Sequence, residues 1–109
     1  MPGSSRHLEH PDADRIVLTD VLFALSDPAR LSIARQLLTG PLEVAACQPV
    51  DGDLPKSTLS HHLKTLREAG VIRNEPAGRQ RLVRLRRDEL DARFPGLLTA
   101  VLGAGPGST

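Results

Sequence analysis

Residues 57–87 read STLSHHLKTLREAGVIRNEPAGRQRLVRLRR, and the period of the apolar residues changes once within them. Up to Ala69 the spacing is helical, with Leu59, Leu63 and Leu66 at i, i+4 and i+7 on one stripe. Gly70 follows where a glycine ends a helix, because the left-handed residue after the cap carries no Cβ penalty there. Val71–Asn74 is short and β-prone. Glu75-Pro76-Ala77-Gly78 has turn chemistry, with Pro early and Gly late. Arg81–Arg87 then alternates, placing Val83 and Leu85 on one face and Arg84 and Arg86 on the other. The stretch predicts a helix followed by a hairpin with a basic outer face.

Upstream, Leu18, Val21, Leu22 and Leu25 form a first helical stripe, which Thr19 or Asp20 can cap. Asp27 suits the N-cap of a second helix, with Pro28 at its first position, where a missing N–H costs nothing. That helix carries Leu31, Ala34, Leu37 and Leu38, and Gly40-Pro41 stops it. Leu42–Cys47 is read as a short third helix opening on Glu43, and Gln48–Asp53 as loop. After the hairpin, Asp88 or Asp91 can cap a last helix bearing Leu97, Leu98, Val101 and Leu102, with Pro95 in or near its first turns. The expected order is four helices, a hairpin and a helix. This is an α+β fold, mostly α: a winged helix-turn-helix of about five helices with a two-stranded β-hairpin wing.

The chain has 109 residues, enough for one domain with a thin core. Phe23 and Phe94 are its only aromatic residues, so the core must be built from Leu, Val, Ile and Ala. The domain is expected over 15–102, between a flexible arm at 1–14 and a flexible tail at 103–109. No run approaches the roughly 18–20 apolar residues of a membrane span. Met1–Pro11 has no apolar core of a secretory signal. Cys47 stands alone and cannot form an internal disulfide, which points to a cytoplasmic protein.

The formal net charge of +1 conceals a strong asymmetry. Residues 56–87 hold nine Lys and Arg against Glu68 and Glu75, a local charge of +7, while both flanks are net acidic. A basic middle on a near-neutral chain suits a surface that meets phosphates. With Leu59, Leu63 and Leu66 turned inward, the helix at 56–69 shows Lys56, Ser57, Thr58, Ser60, His61, Lys64 and Thr65 outward. Such short polar and basic side chains can approach base edges in a major groove, and wing arginines can reach flanking phosphates. No catalytic triad spacing, phosphate-cradling glycine loop or paired inward carboxylates suggest an enzyme, and no cofactor is implied.

The residues resemble a known family. Ala24-Leu25-Ser26-Asp27-Pro28-Ala29-Arg30-Leu31 is similar to a signature of ArsR/SmtB-type winged-helix repressors. Ser57–Lys64 and Leu66–Ile72 resemble that family's recognition helix, and Gly78-Arg79 its wing tip. The similarity spans roughly residues 18–102, and two separated motifs carry it. The resemblance implies a homodimer through the first and last helices, and repression that an effector relieves on an inverted-repeat operator of double-stranded DNA. It implies DNA contacts from Lys56, Ser57, Thr58, Ser60, His61 and Lys64. Arg79, Arg81 and Arg84 of the wing at 71–87 join them. His62 falls on a family histidine position and is expected to pack inward and hydrogen-bond.

The metal-sensing signatures of that family are not matched. Where a Cys-Val-Cys pair would stand, the chain has Val44-Ala45-Ala46-Cys47, and Asp88–Leu102 contains no His. One thiolate cannot close a soft-metal site, so no metal site is assigned. Two other readings stay open: a winged-helix module that binds protein, and a metal or redox sensor using Cys47, with His7 and His10 as candidate co-ligands. His61 and His62 point about 100° apart on a helix and cannot chelate one ion together.

Overall fold

The computed structural model describes residues 8–50 and 52–103. Its helices are α1 (Leu18–Leu25), α2 (Pro28–Gln36), α3 (Lys56–Glu68), α4 (Arg87–Arg93) and α5 (Leu97–Leu102). Its strands are β1 (Leu42–Glu43), β2 (Ile72–Ala77) and β3 (Gln80–Leu85), with short 3-10 turns at Ala13–Arg15, Leu37–Thr39 and Val44–Ala46. Among the described residues the architecture is a winged helix: five helices and a three-stranded antiparallel sheet in the order β1-β3-β2.

The helix boundaries follow local chemistry. Asp27 caps α2, its carboxylate accepting from the Ala29 and Arg30 N–H groups at 2.9 and 3.1 Å, with Pro28 at the first helical position. Such a cap contributes about 1 kcal/mol. Helix α3 ends in a Schellman motif: Val71 N–H reaches the Leu66 carbonyl at 2.9 Å and Gly70 N–H that of Arg67 at 3.0 Å. Gly70 makes this possible at φ +89°, and a Cβ there would lie 2.5 Å from Cγ1 of Ile16.

Several expectations need correction. Leu42–Cys47 is not an α-helix. Leu42 and Glu43 pair with Val83 and Leu82 of β3, and only Val44–Ala46 turns, as 3-10. A six-residue helix recovers little of its nucleation cost, whereas the sheet satisfies these backbone groups at once. The hairpin turn lies two residues later than its composition suggested. Ala77 pairs with Gln80, so Gly78 (φ +65°) and Arg79 form the loop and Pro76 lies within β2. Strand β2 is an edge, where the missing N–H of Pro76 is tolerated. The last helix is two, because Pro95 disfavours helical backbone at Phe94 (φ −133°), and Gly96 at φ +84° restarts the chain into α5. Helix caps also differ: Val17 precedes α1 and Arg86 precedes α4, neither giving a side-chain cap bond.

One core joins all layers. Val21, Ala24 and Leu25 of α1, Ile33 and Ala34 of α2, and Leu59, Leu63 and Leu66 of α3 are buried. They meet Ile72 and Val83 of the sheet and Leu90, Leu98 and Leu102 of the last two helices. Arg35 closes the C-terminal end of α5, its Nε donating to the Leu102 carbonyl at 3.1 Å.

The segment before α1, read from sequence as part of a loose arm, is pinned by three arginines and a histidine. Arg67 donates to the Glu9 carbonyl, Arg86 to that of Pro11 at 2.7 Å, and Arg93 to those of Asp14 and Ile16. His10 Nε2 accepts from the Asn74 N–H at 3.0 Å, satisfying a backbone donor of edge strand β2. Ile16 is fully buried. Residues 1–7 and 104–109, the outer parts of the expected arm and tail, lie outside the described residues, as does His7.

Candidate nucleic-acid interface

Helix α3 sorts its side chains cleanly. Leu59, Leu63 and Leu66 are buried, while Lys56, Ser57, Ser60, His61 and Lys64 are exposed on the opposite arc, with Thr58 half-buried beside them. The helix is thirteen residues long and begins after Pro55 without a side-chain cap, so its first N–H groups point outward unshielded by a capping oxygen.

The orientation of that arc is set from beneath. Arg30 is buried, donates from Nε to the Ala24 carbonyl at 2.7 Å, and from Nη1 meets His62 Nδ1 at 3.1 Å. His62 Nε2 lies 3.9 Å from the Asp27 carboxylate, and Arg30 also stacks over Phe23 at 5.5 Å. One cation thus ties the end of α1, the N-terminus of α2 and the middle of α3. The inward, hydrogen-bonding role expected of His62 is what the geometry has. Burial holds the His62 pKa below its ordinary value, with Arg30 and His61 adding to the effect and Asp27 opposing it. A neutral ring is what lets Nδ1 accept from a guanidinium.

The wing arginines separate into different environments. Arg79 sits exposed at the hairpin tip beside Gly78. Arg84 is exposed on the outer face, loosely paired with Glu75 at 3.8 Å. Arg81 shares strand parity with Val83 and Leu85 and turns inward, donating to Asn74 Oδ1 at 2.8 Å and to the Asn74 carbonyl at 2.7 Å. Arg86, expected on the basic outer face, is fully buried. It forks onto Glu89 at 2.6 and 3.1 Å, and its hydrogen bonds hold the Glu89 carboxyl below the usual range. The i, i+3 spacing of Arg86 and Glu89 across a helix start was the sequence signal for that pairing.

A short apolar-lined cleft lies between the start of α3, the turn at Val44–Ala46 and β3, with Ser60 and Arg81 on its walls. A helix with a polar and cationic outer arc thus lies beside a basic-tipped hairpin, and comparisons with known proteins agree with the fold. A helix-turn-helix domain family matches residues 25–75. An uncharacterised HTH-type transcriptional regulator of Bacillus subtilis, YceK, is 34% identical over 87 residues, covering 79% of this chain and 87% of the relative. The arsenical resistance operon repressor of Staphylococcus xylosus is 33% identical over 75 residues, 68% of this chain and 70% of the relative. A crystal structure of an ArsR family transcriptional regulator superposes with a TM-score of 0.62 at 25% identity, covering 76% of this chain and 90% of that one. The chain belongs to the ArsR family.

It is therefore a DNA-binding transcriptional regulator with a winged helix-turn-helix. Within this ArsR-family chain, Cys47 is fully buried, its Sγ 3.4 Å from the Glu43 carbonyl, and burial pushes the thiol pKa up to about 11. Among the described residues no group of three or more His, Cys, Asp or Glu is placed to hold a metal ion. No helix among them is long and apolar enough to cross a membrane.

Proposed function

We propose that this ArsR-family protein is a cytoplasmic repressor that binds an inverted-repeat operator as a homodimer and is released by a small effector. The observation that carries the reading is the exposed arc Lys56, Ser57, Ser60, His61 and Lys64 on a helix held rigidly from below, next to the exposed Arg79 tip. In this reading Lys56, Ser57, Thr58, Ser60, His61 and Lys64 enter a major groove, and Arg79 and Arg84 reach phosphates. Arg81 serves the site by bracing the wing against Asn74. The arsenical repressor among the relatives supports repression as the sense of regulation.

Support for a homodimer comes from α1. Leu18 and Leu22, one turn apart, are exposed beside Val17 and Phe23, the last 64% exposed. A cluster of large apolar side chains outside the core favours burial against a second copy. Two α3 helices would then meet successive major grooves about 34 Å apart. Leu98 of α5, in the last helix that the resemblance places at the dimer interface, is buried in the subunit's own core. The exposed face of α1 therefore offers the cleaner test: Leu22→Asp should yield a folded monomer by sedimentation and weaken DNA binding with it.

The protein-binding reading fits less well, since the exposed arc of α3 is polar and cationic rather than apolar. A buried thiol with a raised pKa also makes a poor sensor, which favours an organic effector over metal or oxidant at Cys47.

The deciding experiment is fluorescence anisotropy with the duplex upstream of the protein's own coding region, against a scrambled duplex, at several salt concentrations. Specific repression predicts a preference of a few hundredfold and a steep salt slope. Equal weak binding to both would reject sequence-specific recognition of that site.

A further inference from the structure

The cleft beside α3 has a volume of about 530 Å3, within the range of small-molecule sites. Its apolar lining is Val44, Ala45, Leu54 and Leu59, and Lys56 and Arg81 supply its cations, with Glu43 the single carboxylate among the described lining residues. The walls are fixed before any ligand arrives. Gln48 Oε1 accepts from the Leu54 N–H at 2.8 Å, and the Gln48 carbonyl accepts from Gln36 Nε2 at 2.7 Å, so the loop is tied to α2. Two hydrogen bonds to Asn74 help to hold Arg81 in place. A preformed apolar lining beside a guanidinium already held in place loses little entropy on binding.

We propose that this cleft binds a small organic acid with an apolar body, such as an aromatic carboxylate, and that the bound acid displaces DNA. The ring lies on Val44, Ala45 and Leu54, and the carboxylate meets Lys56 and Arg81. A dianion is disfavoured by Glu43 across the cleft. Displacement follows from overlap: Lys56 and Ser60 line the cleft and also belong to the arc assigned to DNA, so one carboxylate and one operator compete for the same cation. The regulatory half of this proposal rests on the DNA-binding reading above; the binding half does not.

The two halves separate experimentally. Isotope-labelled full-length protein is titrated with 1-naphthoate and followed by amide chemical shifts. The site requires saturable shifts grouped at Val44, Ala45, Leu54, Ser60 and Gln80, and binding at least about tenfold weaker for the uncharged 1-naphthalenemethanol. Ala45 is exposed, so Ala45→Trp should fill the cleft without disturbing the core and abolish the shifts. No shifts up to about 1 mM, or shifts centred on Leu22 and Phe23, would overturn the site. In the second arm, naphthoate is added to the protein on its specific duplex. Release by wild type but not by Ala45→Trp supports displacement, and retention of DNA by naphthoate-saturated protein overturns it. If the protein alone shows no specific duplex, the DNA-binding reading fails while the site is still judged by the shifts.

Discussion

The Nη1 of Arg30 lies 3.1 Å from Nδ1 of His62, a residue thirty-two positions away, and this contact joins the start of α2 to the middle of α3. It fixes how α3 is rolled on the core, and so which side chains it presents outward. A partly exposed ion pair would be worth little, but Arg30 is buried with its Nε bonded to the Ala24 carbonyl, and losing a partner there is costly.

This contact makes stability depend on pH. The folded pKa of His62 lies below its unfolded value of 6.5, and burial depresses that of His10 as well, with Arg73, Arg67 and Arg86 adding and Glu75 opposing. Protons therefore bind the unfolded chain more readily. The contribution is complete above pH 6.5 and is lost as pH falls through the folded values. Urea midpoints at pH 7.5 and 5 should fall for wild type and fall less for His10→Gln. Arg30→Met should cost about 2–3 kcal/mol at pH 7.5. Identical pH dependence for wild type and His10→Gln would refute the role given to that ring.

Gly70 should tolerate no side chain. Gly70→Ala places a Cβ at φ +89° and against Ile16, and should cost about 2 kcal/mol or more. Only the clash is relieved by shortening Ile16. A double-mutant cycle with Ile16→Ala should therefore show favourable coupling but incomplete recovery. Full additivity would mean the clash is absorbed elsewhere.

Arg79 and Arg81 should behave differently despite lying two residues apart. Arg79→Ala is expected to leave thermal unfolding unchanged, weaken all duplexes about equally and lower the salt slope by about one. Arg81→Ala should lower the unfolding temperature, because Asn74 loses two hydrogen bonds that this arginine donates in the wing. Equal thermal effects from the two would contradict the inward placement of Arg81.

Cys47 should be slow to react. With its thiol pKa raised to about 11 and its side chain buried, labelling by an aromatic disulfide reagent at pH 8 should proceed only as the protein opens. Rapid labelling of native protein, or loss of DNA binding on mild oxidation, would restore the sensor reading.

What the sequence determined by itself were the features written in local patterns. The 3.6-residue spacing of Leu59, Leu63 and Leu66, the Asp27-Pro28 start of α2 and the glycine stop at Gly70 each act within a few residues of chain. The outward arc of α3 follows from the same spacing, since whatever is not on the buried stripe must face out. Tertiary structure decided what depends on distant partners. Leu42–Glu43 became strand because β3 was there to pair with it, and the segment around His10 is held by arginines from α3, α4 and the strand end. Arg81 and Arg86 became braces rather than surface charges because one points inward by strand parity and the other meets Glu89 under the chain at Pro11. A basic residue looks the same in sequence whether it faces solvent or a buried acceptor; only the fold supplies the acceptor.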